Sequence, residues 1–297
     1  MKNNTKIKPI LIFSAVMFLL FSTAGFIPPP TEKYRKEIKS TGERTLKVSL
    51  EAGFGNIKLE RGISTYILQT DIEANLKDDL LENIEYIKRD DVGFLNISTT
   101  KHPEKSRRGK NISFGEFDKN NWTMQFTDKI PISFDIELGA GKGELDFSGL
   151  NVKDLNLSTG ASSVVIRFDE PNKETIDYLT IETGLSKFKG YGLSNANFKK
   201  MKFEGGVGSY ILDFSGVLKK EVDVDIEVGF GSVVIWIPED IGAKVSYDKS
   251  IFSSIDVPRD FREEEDDTYY SDNYDSTTGR INMFIKAGLG SIKIKRQ

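Results

Sequence analysis

Apolar and polar residues alternate along most of this chain, and the alternation changes phase at pairs of glycines. In residues 222–240, four alternating apolar residues ending at Val228 precede Gly229 and Gly231, and a second apolar set begins at Val233. Alternation of this kind predicts a β-strand with one buried and one exposed face. Because the step from Val228 to Val233 is odd, a straight strand would turn the second set towards solvent. The two glycines are therefore predicted to turn the chain.

The same unit recurs along the sequence. Apolar or small residues lie seven, five, three and one positions before the first glycine of a unit, and apolar residues lie four and six positions after it. The first glycines are Gly53, Gly139, Gly160, Gly184, Gly206, Gly229 and Gly288. From Gly139 to Gly229 their spacings are 21, 24, 22 and 23 residues. A period in the twenties, in units that cannot bury their own apolar faces, indicates a solenoid.

The predicted fold class is an all-β, repeat-built β-solenoid with parallel strands and Gly-x-Gly corners. Two strands of about seven residues each account for most of a unit of about 22 residues. Stacked units would surround a continuous core of valine, isoleucine, leucine and phenylalanine. An antiparallel β-sandwich is the alternative, although its hairpin turns would favour Asn-Gly or Asp-Gly over Gly-x-Gly.

Two regions, 62–131 and 259–276, interrupt the period, and the chain is predicted to have two β regions. Residues 45–131 form an N-terminal β region, in which 75–82 could hold one helical turn. Residues 132–297 form the repeat region, which carries an acidic insertion at 259–276. The strand-like runs of the N-terminal region are 66–72, 84–87 and 94–97. A weak copy of the unit includes Val245, Tyr247, Ile255 and Val257. The final strand, 291–297, has no evident cap, so self-association through this end of the solenoid is predicted.

The first 44 residues indicate export. Three lysines, Lys2, Lys6 and Lys8, precede an uncharged apolar run at 9–27. This pattern predicts either a cleaved signal peptide or an inner-membrane anchor. Both alternatives place the remainder outside the cytoplasm, in the periplasm or at the cell surface. Residues 28–44 begin with three prolines and are predicted to be a tether.

The composition argues against several kinds of chemistry. The absence of cysteine excludes disulfides and zinc–thiolate sites, and the net charge of −4 gives no basic field for nucleic acid. The only histidine, His102, lies in a polar loop, which argues against a catalytic triad or a two-histidine metal site. The Gly-x-Gly clusters precede strands rather than helices, so they are interpreted as corners and not as phosphate-binding loops. No catalytic residue, cofactor or metal is predicted.

Two charged segments are candidates for binding an envelope protein or polymer. The basic loop at 101–110 could contact an anionic lipid or polymer through Arg107, Arg108 and Lys110. The acidic insertion at 259–276 lacks the ligand spacing of a calcium loop, but its aromatic residues favour docking on a partner. These aromatic residues are Phe261, Tyr269, Tyr270 and Tyr274.

Carboxylates on the solvent-facing side of the strands suggest an alternative function, that of a carbohydrate-active enzyme. Alternation places five of them on one outer surface, which carbohydrate-active β-helix enzymes use for acid–base chemistry. Alternation alone also predicts polar residues there, and no pair is marked as catalytic. The five are Asp135, Glu137, Asp223, Asp225 and Glu227.

Several segments resemble known families. LKVSLEAGFGNIKLERG and WTMQFTDKIPISFDIELGAGKGELDFSGL resemble the toast-rack N-terminal domain of bacterial exported proteins. IEVGFGSVVIWIPEDIGAKV resembles LiaF-like cell-wall-active-antibiotic response proteins and adhesin-like repeats. The resemblance covers nearly all of residues 45–297 and rests on structural glycines and core positions. It implies a non-enzymatic protein of the cell envelope with a scaffold, adhesion or stress-sensing role.

Overall fold

The computed structural model describes residues 32–74, 83–99, 120–248 and 250–297. The described residues form a sheet of 16 strands and a short 3-10 helix, Leu193–Ala196. The strands are β1 (Glu32–Lys39), β2 (Thr45–Arg61), β3 (Tyr66–Ala74), β4 (Ile84–Arg89), β5 (Val92–Ser98), β6 (Asn120–Phe126), β7 (Ile132–Asp146), β8 (Val152–Arg167), β9 (Ile176–Tyr191), β10 (Phe198–Asp213), β11 (Glu221–Ile237), β12 (Gly242–Asp248), β13 (Phe252–Asp256), β14 (Phe261–Glu265), β15 (Thr268–Ser271) and β16 (Arg280–Arg296).

The long strands β2, β7 to β11 and β16 each pass through one of the repeated first glycines. In β11, Val228 and Val233 are both buried although they are five residues apart, so the buried face changes phase at Gly229. Each long strand therefore has a first arm before its glycine and a second arm after it, and both arms face one core. We call the part of the sheet built on the first arms panel A and the part built on the second arms panel B.

Successive long strands pair in parallel, with like positions side by side. Leu179 of β9 pairs with Met201 of β10, which pairs with Val224 of β11. All three side chains are buried, so each unit adds one layer to a continuous core. The predicted parallel β-solenoid is confirmed.

Buried aromatic rings run through this core from one unit to the next. The ring centroid of Phe134 lies 5.3 Å from that of Phe126 and 5.4 Å from that of Phe147, which stacks at 5.3 Å on Phe168. Such contacts stabilise a core beyond the burial of apolar area. The units therefore depend on their neighbours for a core.

The N-terminal end extends both panels. On panel A, β5 pairs in parallel with the first arm of β2, and β4 pairs antiparallel with β5. On panel B, β6 pairs in parallel with the second arm of β2, followed by β3 and then β1, both antiparallel. The three strand-like runs predicted in this region are confirmed as β3, β4 and β5. The predicted helical turn at 75–82 lies outside the described residues.

A strand occupies part of the segment that we predicted to be a tether. Glu32–Lys39 forms β1, the edge strand of panel B, so the tether prediction is wrong for these residues. Ion pairs of Lys33 with Glu73 and of Arg35 with Asp71 accompany the pairing with β3. Charged residues are usual on edge strands because they discourage further pairing, and here they obscure the alternation.

The C-terminal end does not follow the order of the sequence. The first arm of β16 lies between β11 and β12, and its second arm lies between β11 and β13. The weak copy at 245–257 is thus one broken unit, in which β12 extends panel A and β13 extends panel B. Within the predicted final strand, 291–297, β13 covers the edge along residues 291–293, and self-association through this end stays a prediction.

The acidic insertion continues panel A instead of forming a solvated loop. Its strands β14 and β15 form an antiparallel hairpin, and β15 pairs with β12. The guanidinium group of Arg296, whose side chain is 9% exposed, binds Asp260 Oδ2 at 2.9 Å and lies 5.5 Å from the ring of Phe261. These contacts attach the insertion to the end of β16.

Candidate functional site

The aromatic residues of the insertion separate onto two faces of the hairpin. Tyr270 and Tyr274 lie together on the outer face of panel A, with ring centroids 5.3 Å apart and an interplanar angle of 81°. Tyr269 is the neighbour of Tyr270 in β15 and therefore points to the opposite face, where it packs on the core. Phe261 is buried. The structure thus brings two of the four predicted aromatic residues together at the surface.

A cleft of about 430 Å³ adjoins this tyrosine pair on the outer face of panel A. It combines two aromatic rings with two carboxylates, Asp223 and Asp225, an amide and two ammonium groups. Its lining includes Lys200, Asp225, Lys244, Tyr274, Asn282 and Phe284. We call this feature, together with Tyr270 at its edge, the tyrosine cleft. Its residues come from β10, β11, β12, β16 and the insertion, so only the folded C-terminal end assembles it.

Hydrogen bonds hold Tyr274 in place. Arg280 donates to Glu221 Oε2 at 2.9 Å, and Asn282 Nδ2 donates to Glu221 Oε1 at 2.8 Å. The amide oxygen of Asn282 therefore faces the tyrosine, and Tyr274 OH donates to it at 2.7 Å. The bonds from Arg280 and Asn282 lower the pKa of Glu221. Burial raises the pKa of Tyr274, and the charge of Glu221 raises it further, so the phenol stays protonated at neutral pH.

A lysine supplies positive charge beside the second tyrosine. Lys244 Nζ lies 5.3 Å from the ring centroid of Tyr270. Interaction with the Tyr270 hydroxyl raises the pKa of Lys244, so its ammonium group is charged at neutral pH. A cation over a ring is attracted to the negative face of the π system, which orients both groups. The tyrosine cleft is thus ordered and offers both donors and acceptors.

Of the other predicted site residues, Asp223 and Asp225 also line this cleft. Arg107, Arg108, Lys110 and His102 lie outside the described residues. Glu227 instead pairs with Lys286 at 3.1 Å, nearer the corner. Within the described part of the chain, no group of three or more His, Cys, Asp or Glu side chains is arranged to hold a metal ion. Across the same residues, no helix is long and apolar enough to cross a membrane.

Sequence reasoning missed the partners of the tyrosines. Lys244, Asn282 and Phe284 are outward positions of weak or ordinary units and carry no motif. Their proximity to the insertion depends on β16 lying beside β12, which the order of the sequence does not predict. The sequence could have shown that Tyr269 and Tyr270 do not act together, because adjacent side chains of a strand face opposite sides.

Comparison with protein families gives two matches that together cover most of the chain. The family model for the N-terminal domain of toast_rack, DUF2154, matches residues 27–189. The model for the C-terminal part of the cell wall-active antibiotics response protein LiaF matches residues 189–294. The predicted resemblances to both families are confirmed. No curated protein matches the chain.

The chain is also similar, at low identity, to two solved structures of proposed adhesion proteins. A proposed cell adhesion protein from Clostridium sporogenes is 22% identical over 90% of this chain and 100% of that chain, with a TM-score of 0.45. A proposed adhesin from Bacteroides fragilis is 16% identical over 90% of this chain and 99% of that chain, with a TM-score of 0.40.

Proposed function

The chain belongs to the family of the toast_rack N-terminal domain, and from this premise we propose that it is a non-enzymatic binding module of the bacterial cell envelope. In this proposal it acts outside the cytoplasm, as the basic, then apolar, N-terminal segment predicts. The match of residues 189–294 to the C-terminal part of a cell wall-active antibiotics response protein supports an envelope role.

The tyrosine cleft is the observation that carries the proposed binding role. Binding sites commonly combine aromatic surfaces with a few fixed polar groups, and this cleft has both. Tyr274 is fixed by Asn282, and Tyr270 by Lys244. The ring faces can stack on the apolar faces of sugars, while Asp225 and the amide of Asn282 can exchange hydrogen bonds with hydroxyls. We therefore propose a glycan polymer of the envelope as the ligand.

Binding of the full chain to isolated cell-wall polysaccharide tests this proposal. Co-sedimentation should retain the native chain, and replacing both tyrosines (Tyr270→Ala with Tyr274→Ala) should weaken retention about tenfold. Tyr178→Ala is the matched control, because Tyr178 is exposed on the same outer face but does not line this cleft. No retention of the native chain, or equal retention of all three proteins, would contradict the proposal.

The absence of catalysis is proposed as well and needs its own measurement. The full chain is incubated with cell-wall and plant polysaccharides, and released reducing ends are measured. We expect no release, because no described carboxylate pair of panel A is distinguished from its neighbours. Turnover that disappears in Asp225→Asn would identify an enzyme instead.

A further inference from the structure

Exposed apolar side chains form a ridge along the outside of the glycine corners. Four of them directly follow the first glycine of their unit, and the fifth, Phe252, pairs with Leu289 in the sheet. Leu185 is 65% exposed, Phe230 51% and Phe252 71%. We call the row Leu185, Val207, Phe230, Leu289 and Phe252 the corner ridge. Contiguous apolar residues on a soluble protein commonly mark an interaction surface.

The ridge is continuous because its members pair directly in the sheet. Leu185 pairs with Val207, and Val207 with Phe230. Phe230 pairs with Leu289, which pairs with Phe252 of β13. Neighbouring strands lie about 4.8 Å apart, so the ridge extends about 19 Å over four steps.

A row of glutamates lies on the panel A side of the corner and adjoins the ridge along β9, β10 and β11, whereas the equivalent position in β16 is Lys286. The row contains Glu51, Glu137, Glu182, Glu204 and Glu227, each two residues before a first glycine. These side chains and the first glycines line an open groove of about 790 Å³. Glu204 and Glu227 pair with Lys202 and Lys286. The other three glutamates make no ion pair with any residue that the structure describes.

The negative charge beside the ridge selects among the surfaces that could cover it. An anionic lipid surface would be repelled by the glutamates as the ridge approached it. A second copy of the chain would bring another glutamate row to the same contact, and like charges at an interface are costly. A partner with apolar side chains can pack on the corner ridge, and cationic side chains of the same partner can pair with the glutamate row.

The spacing of the ridge favours a helical partner. One face of an α-helix repeats every 5.4 Å, close to the distance of about 4.8 Å between ridge residues. An extended strand presents a side chain to the same face every 6.6 to 6.8 Å, which differs more from the distance between ridge residues. A helix of about 13 residues spans the ridge of about 19 Å. We propose that the corner ridge and the glutamate row together bind a cationic amphipathic helix, at a surface separate from the tyrosine cleft.

Binding of a synthetic peptide to the full chain tests the proposal. The probe is an amidated peptide of about 14 residues with leucines at helical spacing on one face and lysines elsewhere. We expect it to bind the native chain, and the ridge variant Leu185→Ser with Phe230→Ser to bind about tenfold more weakly. The row variant Glu182→Gln with Glu204→Gln should also bind more weakly, with a shallower dependence on salt.

Matched controls separate the surface from general charge effects. Asp169→Asn with Asp240→Asn removes two exposed carboxylates from turns outside the groove and should bind like the native chain. Tyr270→Ala should also bind like the native chain, so that loss of glycan binding and loss of peptide binding remain distinct. A peptide with glutamate in place of lysine should not bind.

Several results would overturn the proposal. They are no binding of the lysine peptide, equal binding by the ridge variant, or equal binding of the glutamate peptide. Binding of the native chain to phosphatidylglycerol vesicles, lost in the ridge variant, would make the ridge a membrane contact. A dimer seen by ultracentrifugation and lost in the same variant would assign the ridge to a second copy. Unchanged thermal unfolding confirms that each variant is folded.

Discussion

The repeat stack and the C-terminal end of this molecule contain the same kind of strand but are held together differently. In the stack, β7 to β11 are neighbours in the sheet in their sequence order, and their corners lie in register from one strand to the next. At the C-terminal end, β16 lies between β11 and β12, and the hairpin of β14 and β15 joins antiparallel. The first arrangement is set by backbone geometry at the corners, and the second by particular side chains.

Because of this difference, the two regions should be sensitive to different kinds of substitution. An added Cβ at a corner of the stack would meet the backbone of the preceding unit, whatever the surrounding side chains are. At the C-terminal end, Arg296 alone binds Asp260 and the carbonyls of Pro238 and Ile241, both at 3.0 Å. The stack should therefore be sensitive at glycines, and the end at a few polar side chains.

The largest effect is expected at the second glycine of a corner. Gly231 has φ of +152°, and a Cβ there would lie 2.0 Å from the carbonyl oxygen of Gly208. Gly231→Ala should therefore lower the free energy of unfolding by at least about 4 kcal/mol, or prevent folding, because backbone cannot move aside cheaply. Urea unfolding and the yield of folded protein measure the effect.

The first glycine of another unit is the matched control. At Gly184 a Cβ would lie 3.1 Å from the carbonyl oxygen of Gly160, and φ is outside the left-handed region. Gly184→Ala should cost less than about 1 kcal/mol. Equal destabilisation by the two substitutions would show that backbone contact at the second glycine does not determine the corner.

The corners could be predicted from the sequence, whereas the ends could not. The odd step between Val228 and Val233 required a turn, and the recurring glycines gave the stack. Alternation assigns each side chain to a face but does not say which strand lies beside it. The position of β16 beside β12, and with it the tyrosine cleft, depends on that missing information. In β1 and β14, charged residues on exposed positions concealed strands.

Removing Arg296 should produce the second largest effect. Arg296→Ala leaves Asp260 and two backbone carbonyls without their donor, which should cost about 3 kcal/mol. Hydrogen exchange should increase in β14 and β15, while protection in β8 and β9 remains unchanged. Arg296→Lys should restore little, because an ammonium group cannot reproduce the planar fork of donors. Uniform loss of protection across all units would mean that the C-terminal end is not a separate region.

At the N-terminal end, the ionisation of Glu43 should make the stability of the fold depend on pH. Burial alone would raise the pKa of Glu43, but hydrogen bonds from Thr41, Tyr86 and Ser40 outweigh it and lower the pKa from 4.5 to about 2. A lowered pKa stabilises the fold above pH 4.5, and this stabilisation is lost as the pH falls towards 2. Glu43→Gln should cost about 2 kcal/mol at pH 7.

Unfolding of the native chain and of Glu43→Gln across pH checks this expectation. The two stabilities should converge between pH 4.5 and about 2, where the native carboxylate takes up its proton. A difference that stays constant over this range would mean that the charge of Glu43 is not what stabilises the N-terminal end.

The smallest effect is expected in the glutamate row, and its sign is opposite. Glu182 pairs with Glu204 in the sheet, and like charges directly opposite are destabilising. Glu182→Gln should therefore raise the free energy of unfolding by less than about 0.5 kcal/mol at low salt and leave it unchanged at high salt. Ser158→Glu adds a charge between Glu137 and Glu182 and should therefore lower the free energy of unfolding at low salt. Destabilisation by Glu182→Gln would show that the row supports the fold. If Glu182→Gln stabilises the chain and weakens peptide binding, the charge of the row serves recognition at a cost to folding.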